Sequence, residues 1–380
     1  MAALAGVAVL AACGSTPRPT ASASPEVTPT TAPVTGTPSP TADACVARLN
    51  EPAPRGTIAA NFATALAFAP DGRLFWAERS GTIRVWQEGV SRVFAKVKTV
   101  TTQPNGSYSE RGLLGLAISP SFATDRFVYA FYSDASYRTQ HVIRWYDCNG
   151  TGLHPTIIAT FPAGSDCCHK GGRIAFGPDG KLYVTLGDEH DASSAQNVGD
   201  VRGKVLRYNP DGTIPPDNPF GRTNPVWAYG LRNPFGIAFS PTGELAITMN
   251  GPSGDAGSPA TGYDTLYLNV SRGAHYPWPD CYGYSHPLAT STCGGGIAPN
   301  WSSETSTYVP TGATFVDASG PTGYAGHLVF CTYDKGMAIA TPGSPHASVR
   351  LGPSGCRFDV VEGPNHALYY SDVSHIYELA

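Results

Sequence analysis

The sequence predicts an all-β chain folded as a six-bladed β-propeller, and three observations carry that reading. Glycine and proline are abundant, at 43 and 34 residues, beside 19 tyrosines and 15 phenylalanines, a composition of short strands and tight turns. One unit of apolar strand, Pro or Gly turn and apolar strand returns along the chain. Its spacing suits a four-stranded blade with one long connection.

The clearest copies are L-A-F-A-P-D-G-R-L-F-W-A from Leu66, L-A-I-S-P-S-F-A-T-D-R-F-V-Y-A from Leu116, R-I-A-F-G-P-D-G-K-L-Y-V-T from Arg173 and I-A-F-S-P-T-G-E-L-A-I-T from Ile237. A degenerate copy, D-V-V-E-G-P-N-H-A-L-Y-Y-S-D, starts at Asp359. The turn prolines Pro70, Pro120, Pro178 and Pro241 lie 50, 58 and 63 residues apart, and Pro364 follows after 123, a gap that holds two blades. The missing copy is expected around Gly312 to Tyr333 with an enlarged turn. Segments T-I-R-V-W-Q-E-G, H-V-I-R-W-Y-D and K-V-L-R-Y-N-P-D-G are expected as outer strands closing individual blades. A tandem of β-sandwiches is the alternative, but it gives no reason for one signature to recur at this spacing.

Before the propeller, residues 1–13 form an apolar segment ending in Leu10-Ala11-Ala12-Cys13, which resembles a bacterial lipoprotein signal with Cys13 as the lipidation site. It is too short to span a bilayer. Residues 14–44 are almost entirely Ser, Thr, Pro, Ala and Gly and are expected as a disordered tether. A secretory signal with a disordered mature terminus is the other reading; both place the protein outside the cytoplasm. The propeller domain is then 45–380.

Without Cys13, eight cysteines remain, an even number that suits disulfides in an exported domain. Spacing pairs Cys281 with Cys293 and Cys331 with Cys356, leaving Cys45 with Cys148 and a vicinal bridge between Cys167 and Cys168. The net charge of −4 and the lack of any Lys or Arg run give no electrostatic reason to expect nucleic acid. A small neutral ligand fits better. No G-x-G-x-x-G opens a helix for a nicotinamide, and no histidine or cysteine set has zinc spacing.

Chemistry concentrates at Cys167 to Asp188, where C-C-H-K-G-G-R leads into the third repeat copy. A hairpin returns its end beside its start, so His169 and Asp188 can meet. An imidazole of pKa about 6.5 is a neutral base at neutral pH.

Taken in order, E-R-G-L-L-G-L-A, H-K-G-G-R-I-A-F-G-P-D-G-K-L-Y-V-T-L-G-D, Y-G-L-R-N-P-F-G-I-A-F and N-G-P resemble the glucose/sorbosone dehydrogenase family over roughly residues 60 to 380. The resemblance implies an exported sugar dehydrogenase using pyrroloquinoline quinone (PQQ) and calcium and passing electrons to an external acceptor. It makes His169 the general base and Asp188 the carboxylate orienting it. Arg232 and Asn233 match positions that hold the cofactor and substrate region, with a blade-entry salt bridge as the alternative. The Gly251 and Pro252 carbonyls match a calcium site, with Asp264 a further acidic candidate. Glu110 and Arg111 face the same central opening or form a loop ion pair.

The last two blades depart from the family. Asp334 stands where a PQQ-binding lysine is expected, with Lys335 one position late. Arg357 falls between two expected arginine positions, Cys356 and Phe358, and a compensating shift would make Lys335 and Arg357 the cofactor-binding cations. Two other classes therefore stand beside the dehydrogenase: a non-catalytic envelope propeller binding glycan or protein, and a calcium-dependent sugar lactonase, which needs acidic and Asn ligands around the channel.

Overall fold

The computed structural model describes Cys45 and residues 51–254, 257–288, 292–343 and 345–380. The expected signal segment, Cys13 and the tether lie outside the described residues. Six four-stranded antiparallel sheets follow one another in chain order, as a six-bladed propeller requires.

Blade 1 comprises Ala63–Phe68, Leu74–Glu78, Thr82–Gln87 and Val90–Lys96, and blade 2 comprises Leu113–Ile118, Phe127–Ser133, Thr139–Cys148 and Thr151–Pro162. Blade 3 runs through Ile174–Phe176, Leu182–Leu186, Lys204–Tyr208 and Val226–Tyr229; blade 4 through Asn233–Phe239, Leu245–Asn250, Thr265–Tyr267 and Trp301–Ser302. Blade 5 holds Pro310–Phe315, Leu328–Thr332, Gly336–Thr341 and Ser348–Leu351. Blade 6 takes Val360–Glu362, Leu368–Ser371 and His375–Leu379 from the C-terminus and Thr57–Ala59 from the N-terminal side. That shared sheet closes the ring and removes a free edge.

The recurring Pro turns join the first and second strands of their blades. In blade 1 the Gly72 amide donates to Ala69 at 2.9 Å with φ 89°, and a Cβ there would meet the Glu51 carbonyl oxygen at 1.9 Å, so only glycine closes the turn. The fifth copy has the expected long turn, between Phe315 and Leu328. The three segments expected to close their blades are instead third strands, each followed by one more. Two of those fourth strands are largely exposed, Val90–Lys96 and Thr151–Pro162 each burying one residue, so no strong hydrophobic pattern announces them.

Apolar side chains fill the wedge between each pair of neighbouring blades. Phe75 and Val85 of blade 1 pack with Leu116 and Tyr132 of blade 2, and Phe131 of blade 2 with Val184 of blade 3. Val205 meets Ile247 between blades 3 and 4, and Leu266 meets Phe330 between 4 and 5. Val329 and Leu368 join blades 5 and 6, and Trp76 and Tyr369 complete the ring. Each such side chain contributes about 1.5–3 kcal/mol through burial.

All four cysteine pairs form as the spacing suggested: Cys45–Cys148, Cys167–Cys168, Cys281–Cys293 and Cys331–Cys356.

At the axis a buried arginine replaces apolar packing. Arg173, just before blade 3, donates through Nε to the Phe235 carbonyl at 3.1 Å, through Nη1 to Thr64 at 2.5 Å and through Nη2 to Phe358 at 2.6 Å. Its Nη1 also lies 3.5 Å from Asp359 Oδ2, which accepts the Leu66 amide at 2.7 Å. One guanidinium thus ties blades 1, 3, 4 and 6 and separates a cavity of about 470 Å³ on one face from one of about 370 Å³ on the other.

Arg173→Leu should destabilise the fold by about 3–5 kcal/mol, because it leaves Asp359 and three carbonyls buried without their cation; urea unfolding measures this. Burial pushes the Asp359 carboxyl up to about 6 from 3.8, although Arg173 opposes it. A raised folded pKa gives stability that is full below 3.8 and lost as pH rises through about 6. Asp359→Asn should flatten that slope between pH 4 and 7, and an unchanged slope would assign it to other groups.

Candidate active site

The stretch before blade 3 is held by backbone geometry that few sequences permit. His169 has φ 58°, a left-handed conformation uncommon for a non-glycine residue. A Cβ on Gly187 would lie 2.0 Å from the His169 carbonyl oxygen, so the bare glycine after the second strand lets the two ends of the hairpin touch. The amides that follow His169 are then fixed from neighbouring blades. Lys170 N donates to Glu110 Oε2 at 3.2 Å, and Gly171 N donates to Asn233 Oδ1 at 3.1 Å. The Asn233 amide also reaches Glu110 Oε2 at 3.2 Å, closing a brace between the entries of blades 2, 3 and 4.

Within that brace, His169 Nδ1 lies 2.5 Å from Asp188 Oδ1. Asp188 Oδ2 accepts the indole N–H of Trp278 at 2.7 Å, and Oδ1 also accepts the His190 amide at 3.0 Å. His169 is 3% exposed and Asp188 is fully buried. Three donors hold the carboxylate against rotation, and it in turn holds His169 with Nδ1 protonated and Nε2 as the basic nitrogen. Burial lowers the His169 pKa from 6.5; the Asp188 hydrogen bond raises it and the Arg232 charge lowers it, so the net shift is downward. The ring is therefore neutral at pH 7 and able to accept a proton.

Arg232 lies against this dyad. Its guanidinium covers the Trp278 ring at 5.5 Å and donates through Nη1 to the Gly251 carbonyl. The Gly251 amide donates to Asp264 Oδ1 at 2.8 Å, while Asp264 Oδ2 accepts the Tyr308 and Val309 amides at 2.7 and 3.0 Å. Asp264 thus clamps the Gly251–Pro252 loop to the entry of blade 5, with both its oxygens engaged by main-chain donors. Arg111 and Glu110 do not form a loop ion pair; Arg111 Nη2 donates to the Gly164 carbonyl.

The larger axial cavity opens beside the brace, with Glu110 and Asn250 in its wall. Its volume falls within the ~300–1,000 Å³ of ordinary ligand pockets. Phe62, Tyr108, Phe235, Tyr333 and Phe358 give it aromatic walls, and Arg173 lies at its axial side. Arg79 also lines it, donating through Nε and Nη2 to the carbonyls of Arg111, Thr101 and Ser109. Of the two late cations, neither lines the cavity. Lys335 pairs with its neighbour Asp334 at 2.9 Å and is 42% exposed, while Arg357 donates to the Tyr333 carbonyl.

The structure therefore brings His169, Asp188, Arg232, Asn233 and the Gly251 carbonyl to one centre and leaves Lys335 apart. Trp278 and His190 join that centre unannounced by the sequence reading. Trp278 arrives from the long excursion of blade 4, where no repeat marks it, whereas His190 stands two residues after Asp188 in a readable D-E-H.

Compared with known proteins, the chain belongs to the glucose/sorbosone dehydrogenase family, whose profile matches residues 61–347. It is 33% identical over 257 residues to quinoprotein glucose dehydrogenase B of Acinetobacter calcoaceticus, covering 58% of this chain and 50% of the relative. It is 31% identical over 229 residues to the aldose sugar dehydrogenase YliI of Escherichia coli K12, covering 57% of this chain and 58% of that one. The matches span between half and about 60% of these relatives' lengths. The crystal structure of an oxidoreductase described as a glucose dehydrogenase, from Thermus thermophilus, superposes with TM-score 0.71 at 30% identity over 84% of this chain and 97% of that one.

Asp188→Asn should lower the His169 titration further, because it removes the carboxylate that opposes burial and Arg232. Nitrogen-15 NMR of labelled histidines reads the midpoint; an upward shift would contradict this balance.

Proposed function

We propose that this chain is an exported quinoprotein-type sugar dehydrogenase that oxidises a sugar hydroxyl with PQQ and calcium. The observation that carries the reading is the His169–Asp188 pair, buried and braced beside an aromatic-walled cavity. Its chemistry is that of an oriented neutral base, which alcohol oxidation needs and a purely adhesive surface does not. The relatives' names, quinoprotein glucose dehydrogenase and aldose sugar dehydrogenase, support the same class.

The cavity suits a planar aromatic polyanion. Phe62 and Phe358, stacked at 4.2 Å, give it a flat apolar wall, and Arg79 supplies a guanidinium among its lining groups. PQQ, when bound, would accept the hydride that leaves the sugar carbon. The chain's own work is proton handling and positioning. His169 Nε2 takes the hydroxyl proton, and Asp188 stabilises the imidazolium through Nδ1–H. Trp278 keeps Asp188 in place. Arg232 raises the local positive potential, and the Glu110–Asn233 brace prevents the histidine loop from drifting.

The Gly251 and Pro252 carbonyls are the hard oxygens that a calcium ion would use. Asp264 fits the role of loop clamp better than that of ligand, since main-chain amides engage both its oxygens. Lys335 is better suited to the surface pair with Asp334 than to cofactor retention, and Arg357 to the rim beside Tyr333. Four disulfides support an oxidising, extracytoplasmic compartment, with Cys13 the proposed lipid anchor, a sugar the substrate and an external acceptor taking the electrons.

The displaced late cations favour one second reading, a propeller that binds glycan or protein without turnover. For a lactonase the support is weaker: among the described residues the one tight His/Cys/Asp/Glu group is Asp166, Cys167 and His190, and the Cys167 sulfur is already in a disulfide.

Purified protein supplied with PQQ and calcium should reduce a dye with at least one aldose or polyol. His169→Ala should lower kcat by roughly 10²–10⁴-fold while calorimetric PQQ binding persists. Failure both to bind PQQ and to reduce dye would favour the non-catalytic propeller.

A further inference from the structure

His169 does not end the hydrogen-bonded chain that starts at Asp188. Its Nε2, the nitrogen that must accept a substrate proton, lies 2.9 Å from His190 Nε2, with the two rings edge to face at 3.9 Å between centroids. His190 Nδ1 lies 2.8 Å from Asp166 Oδ2. The four groups form a line, Asp188, His169, His190, Asp166, from a fully buried carboxylate to one whose side chain is 50% exposed.

Hydrogen-bond accounting limits how protons sit on that line. The two carboxylates each take an Nδ1–H, and two Nε2 atoms at contact need a proton between them. While the two rings are hydrogen bonded, the pair therefore holds one proton more than two neutral rings. It cannot remain on His169 without cost, because that ring is 3% exposed and burial disfavours its charged form. His190, with a side chain 30% exposed, gives the charge access to water.

Resting on the dehydrogenase reading, we propose that His190, oriented by Asp166, is a positioning residue that takes the proton from His169 Nε2 and releases it to solvent. The substrate O–H bond breaks as an N–H bond forms at His169 Nε2. That N–H then breaks as one forms at His190 Nε2, and water or buffer removes the proton; the hydride would pass to PQQ when that cofactor is bound. With both rings neutral no proton lies between them, so His190 turns aside and Nε2 is free for the next substrate. The charged groups facing the pair are Asp166, Asp188, Glu110, Arg232 and Lys170, the last paired with the buried Glu189, whose own carboxyl is pushed up to about 7 by burial.

Two measurements test this on the full-length protein. Nitrogen-15 histidine NMR without cofactor should show the His169 Nε2 resonance displaced by its hydrogen bond to His190, and His190→Gln should move that resonance. In protein reconstituted with PQQ and calcium, His190→Gln should lower kcat about tenfold in dilute buffer, with KM little changed. Millimolar imidazole should restore kcat, and Asp166→Asn should act in the same direction more weakly. A His169 Nε2 resonance unmoved by His190→Gln, or turnover in that variant with unchanged buffer and pH dependence, would overturn the exit role alone. The displaced resonance with no turnover on any sugar would instead overturn the dehydrogenase reading, and the exit role with it. Thermal unfolding of His190→Gln near the parent midpoint excludes misfolding as the cause.

Discussion

The Arg173 guanidinium at the axis is the constraint on which the site depends. A propeller leaves the entries of its inner strands converging on a central channel where buried carbonyls need donors. Arg173 meets that need by donating to carbonyls from blades 1 and 4 and from the entry of blade 6. Because it lies four residues after His169 in the chain, the same anchor that joins the blades sets the starting point of the histidine loop. His169 is thereby referenced to the whole ring rather than to one blade.

From that anchor outward, precision comes from donors on other blades meeting a few acceptors. Glu110 and Asn233 fix the backbone after His169, and Trp278 fixes Asp188. The cost of this arrangement is desolvation: two carboxylates, an imidazole and a guanidinium lie within a few ångströms in a buried region. Complete hydrogen bonding makes it tolerable, since hydrogen bonds to charged groups contribute about 1.5–3 kcal/mol each. Removing one partner is therefore expected to disturb its neighbours, and single substitutions here will not be additive.

The parts of the fold that were legible in the sequence were those written locally. Pro70, Pro120, Pro178 and Pro241 mark turns whose geometry depends on two or three adjacent residues, so the blade count could be read from their spacing. The outermost strands of blades 1 and 2 were not legible, since most of their residues face solvent and they carry no apolar alternation. His169 and Asp188 were found because one hairpin carries both. Trp278 was missed because its partner is 90 residues away in sequence, across a blade boundary that no period describes. Lys335 and Arg357 were noted as displaced, and geometry explains what the displacement does: one pairs with Asp334 at the surface, the other caps the Tyr333 carbonyl.

Arg232 connects the two halves of the site and gives its electrostatics a direction. Its charge lowers the His169 pKa, covers the Trp278 ring and rests on the Gly251 carbonyl, the oxygen a calcium ion would also seek. A divalent cation at that loop would compete with the guanidinium for one acceptor. Displacement would move a positive charge relative to His169 while adding two more nearby, so the basicity of His169 would follow the occupancy of the Gly251–Pro252 loop. His169 and the Gly251–Pro252 loop are thus electrostatically linked through one side chain.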